Sequence, residues 1–140
     1  SFEELKSIID KVENKERIGV CIDTCHAFAS GMSIAVPDGV EKMVAKFDSV
    51  IGLKYLKAMH LNDSKGDLAS NRDVRQPIGE GAIGLDCFRQ IMNCDALRGI
   101  PLILETPHRN DEEYGPEHGW AKEIATLRGL IVGKEESCDA

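Results

Sequence analysis

Three apolar runs in this sequence each end in a residue that can bind a metal. Gly19-Val20-Cys21-Ile22 leads to Asp23, Leu56-Lys57-Ala58-Met59 leads to His60, and Pro101-Leu102-Ile103-Leu104 leads to Glu105. An Asp at a strand end is common as a helix cap, and a strand-end His can instead bond a backbone carbonyl in a core. The same placement three times points to one shared site, because active sites in parallel α/β folds gather at the carboxyl edge of the sheet. A donor set of Asp, His and Glu suits Zn²⁺ or Mn²⁺ better than Mg²⁺ or Ca²⁺, which favour all-oxygen shells. His26 follows Asp23 by three residues. That gap brings both side chains over one edge if the chain enters a helix at once; the alternative is a His that caps a turn or packs under Phe28.

A long polar loop from Asn62 to Gly84 follows the second run. Loops of this length in compact domains are usually functional. Lys65, Arg72 and Arg75 form its basic component and suit phosphate contacts, the alternative being a solvated charged loop. Gly79, Gly81 and Gly84 do not make a phosphate-binding fingerprint, which requires a strand, a turn and a helix around the glycines.

The elements that must position these residues alternate along the chain. Ser1 and Glu4 form a capping box that opens a helix with Phe2, Leu5, Ile8, Ile9 and Val12 on one face. Residues 17–23 read as a buried strand. Asp38 caps a second helix carrying Val40, Met43, Val44, Phe47 and Val50, and Leu56 to Leu61 is the second strand. A third helix runs from Leu85 to about Asn93 with Phe88, Ile91 and Met92 inward, and the third strand covers residues 100–105. Pro116 introduces the last helix, with Trp120, Ile124, Leu127 and Leu130 as its apolar stripe. This alternation predicts an α/β fold of parallel strands with covering helices. It fits either an open doubly wound sheet or a segment of a (β/α)₈ barrel, whose complete form needs eight strands and about 250 residues.

Composition bounds the remaining classes. The chain has 140 residues, 42% hydrophobic and 29% charged, which is ordinary globular usage for one domain. No apolar run approaches the ~18 residues of a membrane span, so no membrane partner is expected. No signal-peptide pattern opens the sequence, so the expected location is intracellular: the nucleus in a eukaryote, otherwise the cytoplasm. The five cysteines, Cys21, Cys25, Cys87, Cys94 and Cys138, are odd in number and form no CxxC pair, which argues against a disulfide framework. The net charge of −7 argues against coating nucleic acid through bulk positive charge. It does not exclude a DNA enzyme, because bound metals add positive charge at the site itself.

Several blocks resemble, in order and spacing, the signatures of the endonuclease IV family (AP endonuclease family 2). They are Gly19-Val20-Cys21-Ile22-Asp23-Thr24-Cys25-His26-Ala27-Phe28-Ala29-Ser30-Gly31, His60-Leu61-Asn62-Asp63-Ser64-Lys65, Ile78-Gly79-Glu80-Gly81 and Pro101-Leu102-Ile103-Leu104-Glu105-Thr106-Pro107. The resemblance implies the C-terminal half of a TIM barrel over residues 1–133, with 134–140 a charged tail. It also implies up to three Zn²⁺ ions, with Mn²⁺ as an alternative. Asp23, His60 and Glu105 would bind one ion. His26 and Asp73 would bind another together with a histidine two residues after the Asp, a position held here by Arg75. A guanidinium stays protonated and cannot ligate a metal. The family's remaining ion is held by two histidines and a bridging glutamate from an earlier part of the barrel that these residues do not include.

The implied activity is hydrolysis of the phosphodiester 5′ to an abasic site in duplex DNA, a step of base excision repair. Glu105 would be catalytic by orienting the attacking water, unless the bridging glutamate from the earlier part of the barrel does so, and Lys65, Arg72 and Arg75 would bind DNA. Two other readings remain at this point. One is a sugar isomerase or epimerase on the related xylose-isomerase-like barrel; the other is an inactive half-barrel that only binds metal or DNA. A half-barrel has raw parallel edges, so the expected partners besides DNA are the remaining half of the barrel or a second copy.

Overall fold

A computed structural model describes residues 1–109, 113, 115 and 118–133. Its elements run α1 (Phe2–Lys11), β1 (Val20–Asp23), α2 (Thr24–Ala29), α3 (Gly39–Val50), β2 (Leu56–Leu61), β3 (Asp63–Ser64), β4 (Arg75–Gln76), α4 (Leu85–Met92), β5 (Leu102–Leu104) and α5 (Trp120–Gly129). The capping box forms: Ser1 Oγ accepts from the Glu4 amide at 3.3 Å, and the Glu4 carboxylate accepts from the Ser1 amino group at 2.6 Å. Phe2, at the start of α1, meets Phe47 of α3 edge-on, with ring centroids 5.2 Å apart.

β1, β2 and β5 form one parallel sheet in the order β1-β2-β5. Asp23 pairs with His60, and Leu61 with Leu104. The register therefore sets Asp23 and His60 side by side and Glu105 one residue beyond the last pair of β5. The helices cover this sheet, and Phe47, Met59, Leu61 and Phe88 are fully buried between the layers. Among the described residues, neither β1 nor β5 has a strand partner on its outer side. Ile103 of β5 is 44% exposed on the sheet face it shares with His60.

Two strands are shorter than their hydropathy implies. Residues 15–17 form a 3₁₀ turn whose cap is Asn14, with Oδ1 accepting from the Glu16 amide. Lys15 Nζ donates to the carbonyls of Ile9, Asp10 and Val12 at the end of α1, so β1 begins only at Val20. β5 covers three residues because Pro101 has no N–H to give a ladder and the Glu105 N–H donates to a side chain, Asn62 Oδ1, at 3.0 Å. The last helix also differs from its expected stripe: Glu123 and Leu127 face inward while Trp120 and Ile124 are exposed. The inward Glu123 is satisfied by two donors, the Ile78 amide and Thr106 Oγ1, each at 2.8 Å. The proposed start at Pro116 and the charged tail lie outside the described residues.

The polar loop after β2 has internal order that its composition hides. β3 and β4 pair antiparallel, with Asp63 opposite Gln76 and Ser64 opposite Arg75. Asp63 is fully buried and accepts four amide hydrogen bonds, from Ser64, Gly79, Ile83 and Gly84, at 2.8 to 3.3 Å. Gly81 has to lack a side chain, because a Cβ would lie 2.4 Å from Ser64 O and 2.5 Å from Asp63 Oδ1. One carboxylate thus folds the loop back on itself and fixes the ribbon. Asp63→Ala strands those buried donors and is expected to lower the unfolding free energy by at least about 3 kcal/mol. Urea denaturation followed by circular dichroism measures it, and a loss under about 1 kcal/mol contradicts this account of the loop.

Candidate metal centre

Asp23 is the last residue of β1 and the cap of α2. Its Oδ1 accepts from the His26 amide at 3.1 Å, which confirms that the chain enters a helix directly after the strand. This leaves Oδ2 to face the neighbouring strand ends. There His60 Nδ1 lies 3.7 Å from Asp23 Oδ2 and 2.7 Å from Glu105 Oε2. One ligand atom from each of the three residues lies within 4.8 Å of the others. The side chains are 14%, 28% and 43% exposed for Asp23, His60 and Glu105, so the cluster is walled on the β1 side and open at Glu105. Two carboxylate oxygens and one imidazole nitrogen converging in this way fit a borderline divalent ion.

The cluster is held together by Asn62, which is fully buried. Its Nδ2 donates to Asp23 Oδ2 at 3.1 Å and its Oδ1 accepts from the Glu105 amide at 3.0 Å. The Asn62 amide also donates to Thr24 Oγ1, which donates back to Asn62 O at 2.6 Å. Residues that end or follow all three strands are therefore joined through one side chain. Asn62 lies inside one of the quoted sequence blocks, two residues after His60, but its residue type alone does not reveal a buried tie.

His26 and Asp73 also meet, with Nδ1 and Oδ2 3.2 Å apart. The long loop is brought there by capping α2: the Ala69 and Asn71 amides donate to the carbonyls of Phe28 and Ala29 at the helix end. Both loop residues take left-handed backbone, with φ of 59° and 54°, a conformation Asn tolerates and Ala rarely adopts. The His26 hydrogen bond holds the Asp73 carboxyl below its ordinary pKa, against an opposing effect of burial. Cys25, between these groups, is buried, and its thiol is pushed up to about 11, chiefly by desolvation.

Of the three basic residues singled out in the loop, only Arg75 enters the cluster. Its Nη2 donates to Asp23 Oδ2 at 3.0 Å and lies 3.3 Å from Glu105 Oε2. Burial alone would lower its pKa, but the hydrogen bond to Asp23 and the charges of Asp23, Asp73 and Glu105 raise it. Lys65 and Arg72 are exposed and stand apart from the acids. Lys65 lines a shallow cleft with Gln76, His108 and Arg109, and Arg109 pairs with Glu80 at 3.0 and 2.5 Å. Sequence reasoning did not single out His108 or Arg109, since neither belongs to a recognisable pattern. Beside Asp73, His26 and Asp73 offer two ligands, and position 75, where the resemblance implies a histidine, carries a guanidinium that cannot ligate a metal.

Comparison with known proteins identifies the family. The family profile described as a xylose isomerase-like TIM barrel (AP endonuclease 2) matches residues 1–130. Apurinic-apyrimidinic endonuclease 1 of Saccharomyces cerevisiae is 50% identical over 117 residues, which cover 84% of this chain and 32% of that protein. Endonuclease IV from Thermus thermophilus superposes with a TM-score of 0.73 at 32% identity, over 92% of this chain and 43% of that one. The solved structure described as AsfvAP:AG gives a TM-score of 0.69 at 26% identity, over 94% and 48% of the two chains. The chain thus spans about a third to a half of the relatives it matches, and its parallel strands and covering helices are part of a barrel rather than an open doubly wound sheet. It belongs to the AP endonuclease 2 family of xylose isomerase-like TIM barrels.

Proposed function

We propose that this chain is the C-terminal metal-binding half of a zinc-dependent endonuclease that cuts the phosphodiester 5′ to abasic sites in duplex DNA. The observation that carries this reading is the convergence of Asp23 Oδ2, His60 Nδ1 and Glu105 Oε2 at the carboxyl edge of the sheet, in a chain half identical to a relative named an apurinic-apyrimidinic endonuclease. Asp23, His60 and Glu105 would hold the ion, which when bound supplies Lewis acidity, activating water and offsetting charge at phosphorus. Glu105 is the most exposed of the three. Its free oxygen is the one able to orient an attacking water while the other faces the cluster. Asn62 fixes Asp23 and the Glu105 backbone, so the acids need not reorganise as the substrate approaches. Lys65 and Arg72 project from the exposed loop toward solvent, where they can take backbone phosphates on either side of the lesion. A nucleotide without a base leaves the stack at least cost, which favours an abasic site as the substrate.

No helix among the described residues is long and apolar enough to cross a membrane. A DNA substrate places the protein with DNA, in a eukaryotic nucleus or in the cytoplasm otherwise. The bare outer sides of β1 and β5 propose the second partner: the preceding part of the barrel, or failing that another copy of the chain.

A chimera in which this chain replaces the matching segment of the yeast relative tests the function. The expected result is zinc-dependent incision on the 5′ side of a single abasic site in a duplex oligonucleotide. Glu105→Gln in the chimera is expected to reduce the rate by about 10³-fold or more. Turnover of a ketose without incision would favour the isomerase reading. Metal binding with neither activity would favour an inactive module. The edge proposal has its own measurement: light scattering is expected to show the isolated chain as a dimer or larger, and a stable monomer melting above about 65 °C refutes it.

A further inference from the structure

The oxygens best placed to bind a metal already hold a cation. Arg75 Nη2 is 3.0 Å from Asp23 Oδ2 and 3.3 Å from Glu105 Oε2, the same two atoms that form the three-residue cluster with His60 Nδ1. The placement is built into the fold. Arg75 pairs with Ser64 across the β3–β4 ribbon, and Asp63 fixes the base of that ribbon with four hydrogen bonds. The guanidinium is also incompletely satisfied. Its Nε is the one buried side-chain polar atom among the described residues with no hydrogen-bond partner. The side-chain contacts it does make run to the acids.

A divalent ion bound to those oxygens sits about 2.0–2.2 Å from each of them. At that point it faces the Nη2 hydrogens at close range, two positive charges competing for one pair of carboxylates. We propose that Arg75 is the resident counter-cation of Asp23 and Glu105, and that a divalent ion enters the cluster only by displacing its guanidinium. The chain then holds one ion, in competition with its own arginine. This inference rests on the reading of Asp23, His60 and Glu105 as a metal site. It differs from the expectation that Arg75 primarily binds DNA, because its first partners are the two acids.

Metal titration of the full 140-residue chain tests the competition, using Mn²⁺ and Zn²⁺ with a chromophoric chelator and elemental analysis for stoichiometry. The natural chain is expected to hold one ion. Arg75→Met and Arg75→Gln, which remove the charge, are expected to bind it about tenfold more tightly, the scale of one charge-assisted hydrogen bond. Both variants should melt below the natural chain in chelator and gain more from added metal. Arg75→His is expected to raise the count to two, because it completes a ligand set with His26 and Asp73. Equal affinity in the natural chain and both neutral variants, or two ions in the natural chain, overturns the inference and leaves the metal site standing. If neither the natural chain nor any variant binds an ion, the metal site itself falls, and this inference with it.

Discussion

The site depends on one buried carboxamide. Asp23 and Glu105 stand on strands that flank β2, and bringing two carboxylates together at a sheet edge is unfavourable unless their charges and lone pairs are satisfied. Asn62 supplies both kinds of group: an N–H for Asp23 and a carbonyl oxygen for the Glu105 backbone. A carboxylate at that position would repel the acids, and an aliphatic side chain would leave their partners unmet. The neutral amide has one donor end and one acceptor end, and both are used. Strand pairing brings the ends of β1 and β5 to the neighbourhood of His60, and Asn62 then fixes their geometry.

The loop between β2 and α4 works by a related device. A buried carboxylate, Asp63, gathers backbone amides from residues far apart in sequence, and Gly81 allows the chain to pass against it. The segment between β3 and β4 is then anchored on the carbonyls that end α2. These two attachments deliver Asp73 to His26 and Arg75 to the acids. Polar residues thus set the shape of the loop, as the apolar residues set the layers below it.

This division explains what was legible in the sequence. Residue type and strand periodicity identified Asp23, His60 and Glu105, since a buried strand ending in a ligand has a local signature. The capping box at Ser1 and Glu4 was legible for the same reason, whereas the helix at Thr24–Ala29 entered the sequence reading only as a condition on His26. The pairing of β3 with β4 was not, because each strand has two residues and no periodicity to read. The inward turn of Glu123 was hidden too: a helical wheel counts it as polar, while its partners Ile78 and Thr106 lie 45 and 17 residues away. Arg75 was recognised as unable to ligate a metal, but its place among the acids depends on the ribbon, which only the folded chain shows.

Asp23 divides its two oxygens between tasks, one capping α2 and the other facing the metal site. Ligand and helix start are therefore a single thermodynamic unit. An N-cap of this kind is worth about 1 kcal/mol, and a cation at the other oxygen holds the side chain in the orientation that caps the amide. An ion bound at the candidate centre would therefore favour the first turn of α2, and that turn would favour the ion, as linked equilibria must. The far end of α2 in turn holds the loop that carries Asp73 and Arg75, through the carbonyls of Phe28 and Ala29, so one short helix joins the candidate centre at its start to the loop fastened at its end.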